Sequence, residues 1–259
     1  MKLSILGSCS GTEPFENRHH TAFALTLGER IYWFDAGETC SYTAHLMGLD
    51  LLSVSDIFIS HPHMDHVGGL GNLLWNIRKL SKVKKQQPRY GDLHLYIPCM
   101  ETWEGVHAIL KNSEGGYQNE YQTLAHPVFD GVLLDNGEIR VTAMHNLHLK
   151  EPSDGVWRSF SFLIEAEGKR VVYSGDVKDI SELSPWLAEG CDLLLMETGH
   201  HHPDLVCQHL IDEGYKIGTL GFLHHGRDIL LHHDEMLALC KAVMPNVKIL
   251  DDKDTVDLS

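Results

Sequence analysis

The sequence predicts a mixed α/β fold, read as one domain over residues 1–259, on three observations. Apolar runs of strand length, such as Leu193-Leu194-Leu195-Met196, alternate with longer segments of helical period. With 43% hydrophobic and 22% charged residues, the chain has a globular balance and enough apolar mass for a substantial core. No fixed-period repeat, low-complexity tract or linker-like stretch divides it.

Residues 2–6 read as the first strand. Residues 21–27 and 30–35 are strands on either side of Gly28-Glu29, the composition of a tight hairpin turn. Residues 38–47 read as a helix stopped by Gly48. Residues 56–60 are β-branched and aromatic in the middle, and lead into a histidine-rich loop. Residues 70–83 set Leu70, Leu73, Leu74, Ile77 and Leu80 on one helical face. Lys82, Lys84 and Lys85 close that helix with the charge its dipole favours. Basic residues from Arg78 to Lys85, with Arg89, are expected on a solvated face. Residues 93–98 predict a strand and 101–111 a helix, and the polar stretch 112–126, with Gly115-Gly116, predicts a mobile loop. Residues 139–144, 160–165 and 170–174 are strands, the last two turning at Glu167-Gly168. Apolar strands 191–197 and 216–223 flank a helix over 204–213. A helix over 228–243 and a strand over 247–250 follow.

Charge narrows the function. Lys and Arg number 21 against 36 Asp and Glu, a formal charge of −15, which argues against a general nucleic-acid binder. No apolar run is long enough for a leader peptide or a membrane span, and the six cysteines are scattered with no CxxC pair. Reduced, mostly buried thiols and a cytoplasmic location are expected. Histidine is the anomaly: 19 residues, eight of them between His200 and His233. Imidazole is the commonest metal ligand and the usual proton carrier near neutral pH.

The informative segment is Ser60-His61-Pro62-His63-Met64-Asp65-His66-Val67-Gly68-Gly69-Leu70. Pro62 disfavours helical torsions at His61, so the chain stays extended there, and residues two apart face the same side. His61 and His63 can therefore close on one ion. Asp65 and His66 are adjacent, diverge from that direction and suit a second ion, with Asp65 where a helix N-cap would fall. More ligands are needed, and strand ends supply them: His145 and His148, then Asp176, then His224 and His225.

This order of motifs resembles the metallo-β-lactamase superfamily and, within it, the ribonuclease Z-like branch. Leu6-Gly7, Asp35-Ala36-Gly37-Glu38 and Gly69-Leu70 stand in the branch's order around the histidine loop. The resemblance implies a four-layer αβ/βα sandwich with a dinuclear site at one edge. It implies that His61, His63 and His148 hold one ion, that Asp65, His66 and His224 hold the other, and that Asp176 bridges them. It prefers His148 to His145 because the ligand follows Val141-Thr142-Ala143 at the family spacing, and His224 to His225 because it follows the strand directly. Asp35 is implied to orient the histidine loop. Zinc is the expected metal, with manganese or iron as alternatives. Branch members are often dimers, so a homodimer is an assembly the resemblance allows.

Two divalent ions side by side need an anion between them, here Asp176 and a hydroxide, with Asp65 adding a further negative charge. The net positive charge left over attracts an anionic substrate, and a phosphodiester fits it well. Glu197 aligns with a glutamate that assists proton transfer in ribonuclease Z relatives, and with His200 or His202 forms a candidate acid pair. Arg18 precedes His19-His20, candidates for the mouth of the site. The stretch from Asp176 to His224 has no room for the long basic arm with which ribonuclease Z enzymes grip transfer RNA. The expected function is a dinuclear phosphodiesterase acting on a small or nucleotide-like substrate. The alternatives are a ribonuclease Z-type tRNA 3′-end endonuclease, with RNA disfavoured as a partner, and a metal-binding module without turnover.

Overall fold

A computed structural model describes residues 1–258. In chain order the first half holds β1 (Lys2–Gly7), β2 (Ala22–Leu27), β3 (Arg30–Phe34), α1 (Cys40–Leu46) and β4 (Val54–Phe58). The single turn α2 (Met64–Val67), α3 (Leu70–Lys84), β5 (Leu93–Ile97), α4 (Met100–Lys111) and β6 (Thr123–Pro127) follow. The second half holds β7 (Gly131–Asp135), β8 (Ile139–His145), β9 (Phe160–Ala166), β10 (Lys169–Tyr173), the short α5 (Ser184–Leu187) and β11 (Cys191–Thr198). Then come α6 (Pro203–Asp212), β12 (Ile217–His225), α7 (Arg227–Val243), β13 (Val247–Ile249) and β14 (Thr255–Asp257).

The strands form two seven-stranded sheets, ordered β14-β1-β2-β3-β4-β5-β6 and β13-β12-β11-β10-β9-β8-β7. The period-two pattern of the strands explains the layering. Ala24 and Trp33 face outward against α1, α3 and α4, whereas Phe23, Tyr32 and Phe34 face the other sheet. Leu193 and Leu195 likewise meet the first sheet, while Leu194 and Met196 pack under α6 and α7. Three apolar interfaces therefore separate four layers, the αβ/βα sandwich that the resemblance implies. Between the sheets an aromatic ladder of Phe23, Phe34, Phe58 and Tyr96 crosses four strands with ring centroids 4.9, 4.9 and 4.7 Å apart. Burial of each such ring contributes on the order of 2 kcal/mol, and the ladder gives the site a rigid floor.

Several expectations need correction. The stretch 112–126 is packed: Tyr117 and Tyr121 bury their rings in the cluster that holds Trp103, and β6 pairs parallel with β5. Its polar composition hid two aromatic anchors. The segments β7 and β14 are additional edge strands, each short and paired on one side. Arg78 is not solvated; it is 3% exposed, with its guanidinium 4.8 Å from the Trp75 ring centroid. All six cysteines are free and five are buried. Among the described residues, no helix is long and apolar enough to cross a membrane.

Candidate metal centre

The centre lies where the strands of both sheets end at their C-terminal tips, the usual place for a site in an open α/β sheet. Beyond β4 the chain remains extended, with the Ile59 amide donating to the Tyr96 carbonyl at 2.9 Å. His63 keeps extended torsions (φ −63°, ψ 149°) and is the residue that caps α2, so Asp65 lies inside the first turn and is not the cap. A close approach anchors this loop. The Gly69 amide donates to the Ala36 carbonyl at 2.7 Å, and a Cβ on Gly69 would lie 2.1 Å from the Gly37 carbonyl oxygen. Only glycine lets the histidine loop settle on the Asp35 loop this tightly.

His61, His63, His148 and Asp176 form one group of potential ligands, and Asp65, His66 and His224 form a second; within each group the ligand atoms lie within 4.8 Å of one another. Asp176 joins them. Its Oδ2 lies 3.7 Å from His61 Nε2 and 3.6 Å from His148 Nε2, while its Oδ1 lies 3.3 Å from both His66 Nε2 and His224 Nε2. His224 Nε2 is also 3.1 Å from Asp65 Oδ2. Backbone irregularity aims His224: the β11–β12 register pairs Glu197 with Leu223 and Thr198 with His225, leaving His224 as the extra residue of a bulge at φ 54°.

Asp35, with a left-handed φ of 53° and no exposed surface, holds the donors in place. Its Oδ1 accepts from the Ser60 amide at 2.7 Å. Its Oδ2 takes the Ser60 hydroxyl at 2.8 Å, His66 Nδ1 at 2.8 Å and the Tyr173 hydroxyl at 2.5 Å. With Nδ1 bound to a carboxylate, His66 turns Nε2 toward the centre. Tyr173 was missed in the sequence reading, although its place just before Ser174-Gly175-Asp176 on an alternating strand points it between the sheets.

The donor set fits divalent cations. The buried atoms His61 Nε2, His66 Nε2 and Asp176 Oδ1 have no hydrogen-bond partner and converge on the same space. Leaving such atoms unsatisfied costs about 1–3 kcal/mol each, and a cation removes that penalty. The carboxylates are in ligating form. Burial would raise Asp176, but the charges of His224 and His66 hold it well below the usual carboxylate range. Burial opposes Asp65 too, and hydrogen bonds from His224 and His66 outweigh it. Burial, reinforced by the neighbouring imidazoles, pushes His61 down toward its neutral, metal-binding form.

Glu197 and His200 stand beside these groups. Glu197 is buried and His200 half exposed, with His200 Nδ1 3.0 Å from Glu197 Oε1 and 3.8 Å from Asp176 Oδ2. Burial raises the Glu197 carboxyl, yet hydrogen bonds from His200 and His224 bring it down to about 2. The bond to Glu197 raises His200 despite partial burial, so the proton of this pair rests on the imidazole. Glu197 does not cap α6, whose cap is His202. His202 instead pairs with Asp228 at 2.7 Å. His145 stacks on Trp157 and pairs with Asp130, away from the two groups. His225 turns its ring to the Leu250 carbonyl at 2.9 Å. His19 Nδ1 meets Asp252 at 2.6 Å. His232 and His233 lie on α7, paired with Glu235 and Asp234.

Comparisons with known proteins agree with this geometry. The chain is 28% identical over 150 residues to ribonuclease Z of Methanothermobacter thermautotrophicus, a match covering 57% of this chain and 45% of that protein. The chain thus spans about half the length of the curated relatives it matches. Among solved structures, the metallo-β-lactamase fold protein YhfI from Bacillus subtilis superimposes with a TM-score of 0.74 at 18% identity, covering 98% of each chain. The short form of human tRNase Z gives a TM-score of 0.71 at 17% identity over 100% of both chains. The family described as Anti-Pycsar protein Apyc1 matches residues 1–210. The fold is therefore that of the metallo-β-lactamases, ribonuclease Z-like in sequence, and the chain belongs to the anti-Pycsar protein Apyc1 family.

Proposed function

We propose that the chain is a dinuclear metal-dependent phosphodiesterase acting on a small or nucleotide-like phosphodiester. His61, His63 and His148 hold one ion, and Asp65, His66 and His224 hold the other. The observation that carries this reading is Asp176, which turns one carboxylate oxygen to each histidine group. Zinc suits the imidazole and carboxylate donors, with manganese or iron as the alternatives. When bound, such a pair of ions supplies an acidified water and positive charge to offset that of a crowded phosphoryl transition state.

The protein's own residues do the rest. Asp35 and Ser60 keep the histidine loop from rotating as substrate enters. Glu197 holds a proton on His200, whose half-exposed ring can deliver it to the leaving oxygen. Beside His200 a cavity of about 270 Å³, lined by Ser10, Thr198, Gly199 and Arg227, has the dimensions of a small ligand. The similarity to ribonuclease Z favours a second reading, cleavage of RNA at a 3′ end. Against it stand the net charge of −15 and the compact course from Asp176 to His224, occupied by α5, β11, α6 and β12 with no basic arm.

Elemental analysis of the purified chain, paired with hydrolysis of bis(p-nitrophenyl) phosphate and of pre-tRNA, tests the proposal. Two metal equivalents and diester hydrolysis that Asp176→Ala abolishes are expected. Bound metal without hydrolysis of any ester would make the chain a binding module, and preferential cleavage of pre-tRNA would make it an endonuclease.

A further inference from the structure

We infer that Asp252, on the turn after β13, is a positioning residue for the second metal ion, acting through His224; this rests on the dinuclear reading above. His224 holds a left-handed backbone conformation that a non-glycine residue keeps only when its surroundings over-determine it. Its neighbour His225 supplies that constraint. The His225 amide donates to the Ser8 carbonyl at 2.7 Å, and the His225 carbonyl accepts from the Ser10 amide at 3.2 Å and the Ser10 hydroxyl at 2.8 Å. The bulge is thus clamped by the segment that follows β1.

Asp252 fixes that segment in turn. Its side chain is 5% exposed, and its Oδ1 accepts from the Ser8 amide at 2.9 Å and the Ser8 hydroxyl at 2.7 Å. Its Oδ2 accepts from the His19 amide at 2.9 Å and meets the His19 ring at 2.6 Å. A buried carboxylate with all its capacity spent on one loop contributes nothing to solubility or to the reacting atoms. It ties the loop after β1 to the turn that also grips the His225 ring through Leu250. His224 is the only member of its ligand group supplied by the second sheet, since Asp65 and His66 come from the loop after β4. Slack in the clasp therefore reaches the second ion and spares the first.

Zinc titration against a competing chromophoric chelator, with elemental analysis, reads this directly. The wild-type chain is expected to bind in two steps. Asp252→Ala is expected to weaken one step by roughly tenfold or more and leave the other within about twofold. Asp252→Asn, which keeps an acceptor for Ser8, is expected to fall between, and decides the question by the same criterion if the alanine variant does not fold. Unchanged steps, or an equal loss in both, overturn the clasp. A wild-type chain that holds only one ion overturns both the dinuclear centre and the clasp. Two intact steps with the expected split, but no diester hydrolysis, support the clasp while refuting the phosphodiesterase.

Discussion

Gly199 leaves no space for a side chain, and its replacement by alanine is expected to disable the second ion's ligand group. A Cβ there would lie 2.7 Å from both Cε1 and Nδ1 of His224, and 3.0 Å from Cβ of Ser10. Carbon atoms rest at about 3.5–4.0 Å, so something must move by close to an ångström. The His224 ring cannot yield freely: Nε2 faces Asp65 at 3.1 Å and Nδ1 faces Glu197 at 3.7 Å. Ser10 is held by its two bonds to the His225 carbonyl. Overpacking of this kind costs about 1–3 kcal/mol. If the ring gives way instead, the loss appears as metal affinity, and a hundredfold weaker ion forfeits about 2.7 kcal/mol of metal-linked stability. For a chain of this size that is a Tm difference of about 5–10 °C. Calorimetry in chelator and in excess zinc separates the two outcomes. Gly105→Ala on α4, where an added Cβ meets nothing within 4 Å, serves as the control. The reasoning is refuted if Gly199→Ala matches the wild type both in chelator and in the stabilisation that zinc adds.

Two further expectations concern other parts of the molecule. His200→Ala should cut kcat on a diester by about 10²–10⁴ while the metal content stays at the wild-type value; an unchanged kcat would remove His200 from proton delivery. Asp50 caps the turn before β4 and pairs with Arg89 at 2.9 Å and Lys84 at 3.3 Å. Partial burial raises its carboxyl, but the bonds from Arg89, the Leu52 amide and Lys84 prevail and lower it. Its contribution is therefore present above the unfolded value of about 3.9 and is lost as pH falls through the folded one. Urea unfolding of Asp50→Asn should show a shallower loss of stability below about pH 4 than the wild type, and coincident slopes would refute the assignment.

Much of this architecture could be read before folding. Apolar runs of strand length located β1 to β5 and β8 to β13, because a strand's hydrophobic run is a local property of the chain. The helix over α3 followed from Leu70, Leu73, Leu74 and Ile77, all buried in the structure. Edge strands such as β7 escaped notice because they are half covered and weakly patterned. The packed course of residues 112–126 escaped because two tyrosines decide it and their mostly polar or small neighbours disguise it.

The sequence by itself determined that a loop of metal-ligating residue types exists, since four donor residues within six positions need only Pro62 and one helical turn to diverge into two sets. It also determined that further donors lie at strand ends. Which of them meet was decided by tertiary structure alone. His148 rather than His145 joins the first group because His145 is stacked on Trp157, and His224 rather than His225 joins the second because a bulge reverses which ring faces the centre. Such choices depend on register between strands and on contacts of Ser8 with His225, Tyr173 with Asp35 and Asp252 with Ser8, each between residues distant in sequence. Long-range register is set by the packed sheets as a whole, so no local pattern can carry it.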